Sequence, residues 1–220
     1  MVTVAARPQP LELDPQRAAL IVVDMQNDFG SPGGMFDAAG IDIGGISAVE
    51  RALPRVLRTA RDAEIPVVYL KMEHAPDLSD VGGADAPHRI KHVPMGVGDG
   101  RTLIRDTWNT RILDSLTPEP GDHVVSKHRY SGFFETELDD VLRGLGAKYL
   151  IVTGCTTSIC VESTVRDAMF RDYSCLVLED CTAEPIGTHE SSLKVIETLF
   201  GWVTTSAAVC QALARRPELV

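Results

Sequence analysis

Apolar runs of strand length alternate with helix-patterned segments along the chain. Residues 18–24, AALIVVD, form a continuous, largely β-branched run closed by a carboxylate. Such a run fits a strand buried on both faces, as in a parallel sheet. Residues 46–63 have helical periodicity, and IPVVYL at 65–70 is a second buried run. The Gly-, Pro- and His-containing stretch 73–107 reads as an excursion loop, and long loops in compact domains are often functional. TWNTRILDSL at 107–116 predicts a helix, stopped by TPEPGD.

The second half repeats the pattern. HVVSK (123–127) predicts a short strand. TELDDVLRGLG (136–146) predicts a helix with Thr136 as N-cap and Gly146 past its end. KYLIVTG (148–154) predicts a strand, and a helix follows over 158–171, where Val161, Val165, Ala168 and Met169 fall on one face. SCLVLED (174–180) is the next strand, followed by a helix over 189–200 that His189 and Glu190 begin. GWVTTS makes a last short strand and AAVCQALARR a last helix. This alternation predicts βαβ units: an α/β, three-layer αβα fold on a mainly parallel sheet. We expect one domain over residues 1–220. No internal repeat, GxGxxG after the first strand or GxxxxGK[ST] is present, so nucleotide-phosphate binding has no motif support.

Composition narrows the partners. A net charge of −10 argues against nucleic acid, which usually needs a basic face. No stretch approaches bilayer-spanning length, and the N-terminus lacks the basic start and apolar block of a signal peptide. The five cysteines are odd in number and form no CxxC pair, so a reduced, cytoplasmic protein is expected rather than a disulfide or zinc scaffold.

In an open parallel sheet, ligands bind beyond the carboxyl ends of the strands. There the first strand ends at Asp24, HVVSK ends at Lys127, and KYLIVTG runs into GCTTSIC. A carboxylate, an amine and a thiol on one rim make a nucleophile set. Cys160 lies near a helix start, where backbone N–H groups and the dipole favour an anion, and a nearby ammonium would favour the thiolate further. Asp24 can take the thiol proton and pass it to a leaving amine. Backbone N–H groups at the same turn can hold an oxyanion.

LIVVDMQNDF, a lysine closing a mid-chain strand, and VTGCTTSICVEST together resemble the isochorismatase-like cysteine hydrolases. The likeness runs from about residue 18 to 205 and implies a six-stranded sheet of Rossmann-like order 3-2-1-4-5-6. The family pattern G-x-x-T-x-x-C-V-x-x-T falls on Gly154, Thr157, Cys160, Val161 and Thr164. By that resemblance Asp24 is the general acid/base, Lys127 the thiolate stabiliser and Cys160 the nucleophile, with Cys155 at a variable position. It also implies a cis peptide between Cys155 and Thr156, and an oxyanion hole from the backbone N–H groups of Thr156 and Cys160. No organic cofactor is implied. A dimer or tetramer is expected from relatives.

Within the family, ARPQPLELDPQRAALIVVDMQN, PGDHVVSKHRYSGFF, CVESTVRDAMF, LEDCT and FGWV resemble the ureidoacrylate amidohydrolases. One departure bears on substrate. That subgroup tends to carry an Asn and a Trp after the second strand, whereas this chain has KMEHAPDLSD, of which HAPDLSD is more similar to biuret-type hydrolases. Glu73, His74, Tyr130 and Phe29 are the candidate substrate contacts. A carboxylate at Glu73 would repel an acidic substrate unless His74 or an arginine neutralises it. Nicotinamidases carry a metal-binding D-x-H here, but Glu73 and His74 are adjacent, so no metal site is expected, even with His88 and His92 downstream.

The resemblance implies an amidohydrolase cleaving a small non-peptide C–N bond through an acyl-thioenzyme, with a ureido acid or carbamoyl amide as substrate. A lactam or biuret-type substrate is the alternative within the family. A non-catalytic binding protein on this fold is the alternative from another class.

Overall fold

The computed structural model describes residues 1–82, 102–185 and 187–214. Two short strands, β1 (Val2–Val4) and β2 (Leu11–Leu13), pair antiparallel ahead of the main sheet. The main sheet comprises β3 (Ala18–Val23), β4 (Val67–Met72), β5 (His123–Lys127), β6 (Tyr149–Cys155), β7 (Ser174–Ala183) and β8 (Gly201–Thr204). All its neighbours are parallel, in the order β5-β4-β3-β6-β7-β8. Counted within this sheet the order is 3-2-1-4-5-6, as the resemblance implied.

Alternating strand residues feed two apolar layers. On one face Leu20, Val22, Val67, Tyr69, Ile151 and Leu176 pack with helices α3 (Gly44–Asp62) and α7 (Ser206–Ala214). Helix α3 buries Ile46, Val49, Leu53, Val56, Leu57 and Ala60, a stripe at helical spacing. On the other face Ala19, Ile21, Val23, Val68, Leu70 and Val152 meet α4 (Leu138–Gly144), α5 (Glu162–Met169) and α6 (His189–Val195). Short helices α1 (Asn27–Gly30) and α2 (Met35–Ala38) follow β3.

Four expectations need correction. Residues 107–116 are not a helix. They form two 3-10 turns, Trp108–Thr110 and Asp114–Leu116, with extended backbone between. The reason is tertiary: Asn27 N–H donates to the Arg111 carbonyl and Leu113 N–H to the Met25 carbonyl, which ties the segment to the chain beyond β3. The helix expected from 158 begins as a π-turn over Thr157–Val161 and becomes α-helical at Glu162, and Met169 is only half-buried. The helix expected over 189–200 is α-helical only to Val195 and ends in a π-turn, Ile196–Phe200. Thr136 does not cap by direct entry: α4 starts at Leu138, whose N–H donates to Thr136 Oγ1 at 3.2 Å. Gly146, at φ +68°, does end that helix.

Candidate active site

The carboxyl ends of β3, β5 and β6 converge. Asp24 follows β3 at φ +50°, a left-handed conformation that Asp tolerates better than most residues. Its backbone is held on both sides: its N–H donates to the Leu70 carbonyl, and its carbonyl accepts the Gln26 N–H and the Cys155 thiol (3.2 Å). Gly154 lets β6 come this close. It sits at φ +107°, and a side-chain Cβ there would lie 2.0 Å from the Val23 carbonyl oxygen. The register of β6 against β7 shifts just before it, between Val152 and Gly154.

Lys127, the last residue of β5, reaches across this rim. Its Nζ lies 2.8 Å from Asp24 Oδ2, 3.4 Å from Cys160 Sγ and 3.2 Å from the Arg129 carbonyl. All three side chains are shut away from solvent, with relative exposures of 0% for Asp24, 1% for Lys127 and 5% for Cys160. The peptide between Cys155 and Thr156 is cis. The Thr156 carbonyl then accepts the N–H groups of Ile159 and Val161, so Thr156 and Cys160 belong to one tight turn.

Burial and charge set the protonation states. Burial pushes Asp24 above the usual carboxylate range, against the attraction of Lys127. Burial works against the Lys127 ammonium, but the Asp24 and Cys160 charges outweigh it and raise its pKa. The Cys160 thiol is raised by burial and by the Asp24 charge, and Lys127 only partly offsets this. The direction of that shift runs against a resting thiolate. Lys127 is already paired with Asp24, and the helix start that would favour an anion is occupied, because Ser158 N–H donates to Glu184 Oε2 at 2.9 Å. These directions favour a protonated thiol beside the Asp24–Lys127 pair. Moving the thiol proton to Asp24 leaves the net charge unchanged, and the raised proton affinity of Asp24 suits it to that transfer.

The candidate substrate contacts divide. Tyr130 is half-buried and packs at the junction of both apolar layers and Val81. Phe29 is a core residue, edge-to-face with Phe36 at a centroid distance of 5.2 Å. Glu73 is not a free carboxylate. Lys71 Nζ lies 2.7 Å from Oε2, while Arg105 Nε and Ser126 Oγ donate to Oε1. Neighbouring strand residues Ser126 and Lys127 point to opposite faces, so the group holding Glu73 is not the one facing Cys160. Despite burial, Lys71 and Ser126 hold the Glu73 carboxyl below the usual range. The arginine that would lift the repulsion of an acidic substrate is present as Arg105, with Lys71 as a second cation. His74 lies beside another carboxylate, Asp80. It is fully buried, burial pushes its pKa down to about 4, and its Nδ1 lies 3.5 Å from Asp80 Oδ1. His88 and His92 lie outside the described residues.

Several polar residues escaped the sequence reading. Gln26 is wholly buried. Its amide donates to the carbonyls of Met72 and Thr110 and accepts the Met72 N–H, lacing β4 to the chain beyond β3. Asp28, also wholly buried, accepts the N–H groups of Met35 and Leu103. The signal was present in DMQNDF, where uncharged and acidic side chains directly follow a fully buried strand. Glu184, just after β7, and His189, the first residue of α6, reach the cysteine turn, and nothing local in the sequence marks those contacts.

A parallel α/β sheet with a buried carboxylate, ammonium and thiol at its carboxyl rim defines a cysteine hydrolase. The chain belongs to the isochorismatase family: residues 18–208 match the isochorismatase domain. It is 42% identical to the ureidoacrylate amidohydrolase RutB of Methylobacterium radiotolerans, over 96% of this chain and 85% of that protein. The RutB protein of Caulobacter vibrioides is equally similar, at 42% over 94% of this chain and 90% of that one. Among solved structures, a cysteine hydrolase from Pseudomonas syringae pv. phaseolicola superposes with a TM-score of 0.82 at 30% identity, covering 93% of this chain and 95% of the other. The N-carbamoylsarcosine amidase of Thermoplasma acidophilum superposes at 0.67 with 28% identity, covering 86% and 96%.

Proposed function

We propose that this amidohydrolase, which acts on C–N bonds other than peptide bonds, cleaves the carbamoyl C–N bond of a small ureido acid such as ureidoacrylate. The observation that carries the chemistry is the contact of Lys127 with both Asp24 (2.8 Å) and Cys160 (3.4 Å). The substrate class rests on the curated relatives.

Asp24 takes the thiol proton as Cys160 Sγ attacks the carbamoyl carbon, and Lys127 stabilises sulfur as it becomes anionic. The carbonyl π pair moves to oxygen, where the backbone N–H groups of Thr156 and Cys160 hold the oxyanion. The intermediate collapses, the C–N bond breaks, and Asp24 returns its proton to the leaving amine. A carbamoyl thioester remains on Cys160. Water, giving its proton to Asp24, adds to that carbon, and the C–S bond breaks to release carbamate and regenerate the thiol. In this scheme the chain's own residues make and break every bond.

The test is a substrate panel of ureidoacrylate, biuret, N-carbamoyl amines and small lactams with the purified protein. The ureido acid should have the highest kcat/KM. Preferred turnover of a lactam or of biuret would overturn the substrate assignment while retaining the nucleophile.

A further inference from the structure

We propose that His189 and Glu184 are positioning residues for this reaction: from the start of α6 and the residue just after β7 they clamp Thr157 and Ser158, which open the Cys160 turn, and so hold the backbone N–H groups of Thr156 and Cys160 in register with the oxyanion. The inference rests on the reading of Cys160 as nucleophile given above.

The clamp is built from side chains at adjacent positions. Thr157 Oγ1 and His189 Nδ1 lie 2.9 Å apart, sharing a hydrogen bond whose proton either partner can supply. The Ser158 N–H donates to Glu184 Oε2 at 2.9 Å, and the Ser158 hydroxyl donates to the same oxygen. Both residues therefore take their polar partners from one segment, 26 to 32 positions away in sequence. Thr157 is wholly buried, and His189 is the first residue of α6.

The place of the clamp gives it leverage. Thr156 precedes Thr157, and Cys160 stands inside the same π-turn, Thr157–Val161. Rotating the entry of this turn would swing both oxyanion donors together. From the other side, Thr164 Oγ1 donates to the Cys160 carbonyl at 2.6 Å and accepts the Gly132 N–H at 2.9 Å, so the exit of the turn is tied to the loop that follows Lys127. With its exit fixed this way, the entry is the part left for His189 and Glu184 to set. Net hydrogen-bond contributions to folding are modest, about 1 kcal/mol each, whereas oxyanion donors act through geometry and lose much more when misaimed.

The test separates oxyanion geometry from thiol access. A short aldehyde adds reversibly to Cys160: the S–H proton passes to Asp24, the S–C bond forms, the carbonyl π pair goes to oxygen, and that oxygen uses the oxyanion donors. Iodoacetamide alkylates the same sulfur by displacement and needs no oxyanion. In His189→Ala we expect propionaldehyde affinity and kcat to fall roughly tenfold, well short of deleting a donor outright. KM and the iodoacetamide rate should stay within about twofold on the same grounds. His189→Asn, which retains a hydrogen-bonding group, should recover most of the loss. Thr157→Val should reproduce His189→Ala, and the double variant should lose no more than either single one.

Unchanged aldehyde affinity and kcat in both His189→Ala and Thr157→Val would overturn the inference. So would equal losses in aldehyde affinity and alkylation together with a lowered unfolding temperature, which would mark simple collapse of the site. Failure of the substrate reading looks different. The wild-type protein would then turn over no carbamoyl compound, while the aldehyde comparison would still report on the clamp.

Discussion

Lys127 Nζ sits 2.8 Å from Asp24 Oδ2 with neither side chain reaching solvent. A buried ion pair of this kind is costly to break from one side only, because the remaining charge is left without a partner. Lys127→Met should therefore lower stability by roughly 3–5 kcal/mol as well as abolish turnover. Denaturant unfolding checks this. A Lys127→Met protein as stable as the wild type would show that the ion pair contributes no net stability.

Asp24 and the Cys160 thiol give a prediction in which two readouts move in opposite directions. The Asp24 charge helps to raise the Cys160 pKa, and Lys127 lowers it. Asp24→Asn removes the opposing anion and leaves the ammonium, so the Cys160 pKa should fall and iodoacetamide alkylation near pH 7 should speed up. Turnover should nonetheless drop by at least about 100-fold, because the proton acceptor is gone. In the wild type, alkylation should still be rising at pH 9, since burial and Asp24 hold the thiol protonated. A wild-type plateau below pH 7 would contradict the resting thiol.

The two cysteines of the TGCTTSIC segment separate by what they touch. Cys160 contacts Lys127, whereas Cys155 is fully buried and donates its thiol to the Asp24 backbone carbonyl. Cys160→Ala should be folded and inactive. Cys155→Ser keeps a donor and should stay close to wild-type activity, while Cys155→Ala should lose only a few-fold, since Gln26 N–H still holds the same carbonyl. Steady-state kinetics on the three variants decides between them, and an inactive Cys155→Ser would reverse the division of labour.

Glu73 is held ionised by Lys71 and Ser126, and Arg105 adds a second cation. A carboxyl with a depressed pKa contributes stability that is present above its unfolded pKa and is lost as pH falls through the folded value. Glu73→Gln should thus cost stability at pH 7, by about 1 kcal/mol for a partly exposed network, and the difference should shrink under acid. Because Ser126, which bonds Glu73, and Lys127 point to opposite faces of the sheet, KM for a ureido acid should stay close to that of the wild type. Melts at pH 7 and pH 3, with KM at pH 7, test both parts.

The residues that were legible in sequence are those whose setting is local. Asp24, Lys127 and Cys160 each follow a β-branched run, and a strand end is readable from one stretch of chain. Gly146 and the buried stripe of α3 are readable for the same reason. What failed depends on partners far along the chain. Arg105 and Ser126 reach Glu73 from 32 and 53 residues away, although its partner Lys71 stands only two positions before it, and 107–116 looked helical because its ties to Met25 and Asn27 are invisible in its own pattern. His189 was legible as a helix start, but its bond to Thr157 spans 32 residues and has no periodic signature. Proximity of lysine to sulfur likewise does not reveal that the lysine already has an anion, Asp24, 2.8 Å away.

Gly154 offers the sharpest test of how the rim is assembled. Its φ of +107° lies outside what residues with a side chain readily adopt, and an added Cβ would stand 2.0 Å from the Val23 carbonyl oxygen and 2.6 Å from the Val23 nitrogen. Both neighbours are backbone, so neither can rotate away. Gly154→Ala must either push β6 from β3 or refold the turn that follows. Each route displaces Asp24, whose carbonyl is bonded to Cys155, the next residue on β6. We expect loss of turnover exceeding 100-fold, the scale seen when catalytic groups are misplaced by about 1 Å, with an unfolding temperature lowered by several degrees. Gly121 is the control: it also has positive φ, at +102°, but an added Cβ meets nothing within 4 Å. Gly121→Ala should carry a stability cost of about 1 kcal/mol from backbone strain alone and full activity in the folded fraction. If Gly154→Ala matched Gly121→Ala in both readouts, the close approach of β6 to β3 would not be what brings the carboxylate and the thiol together.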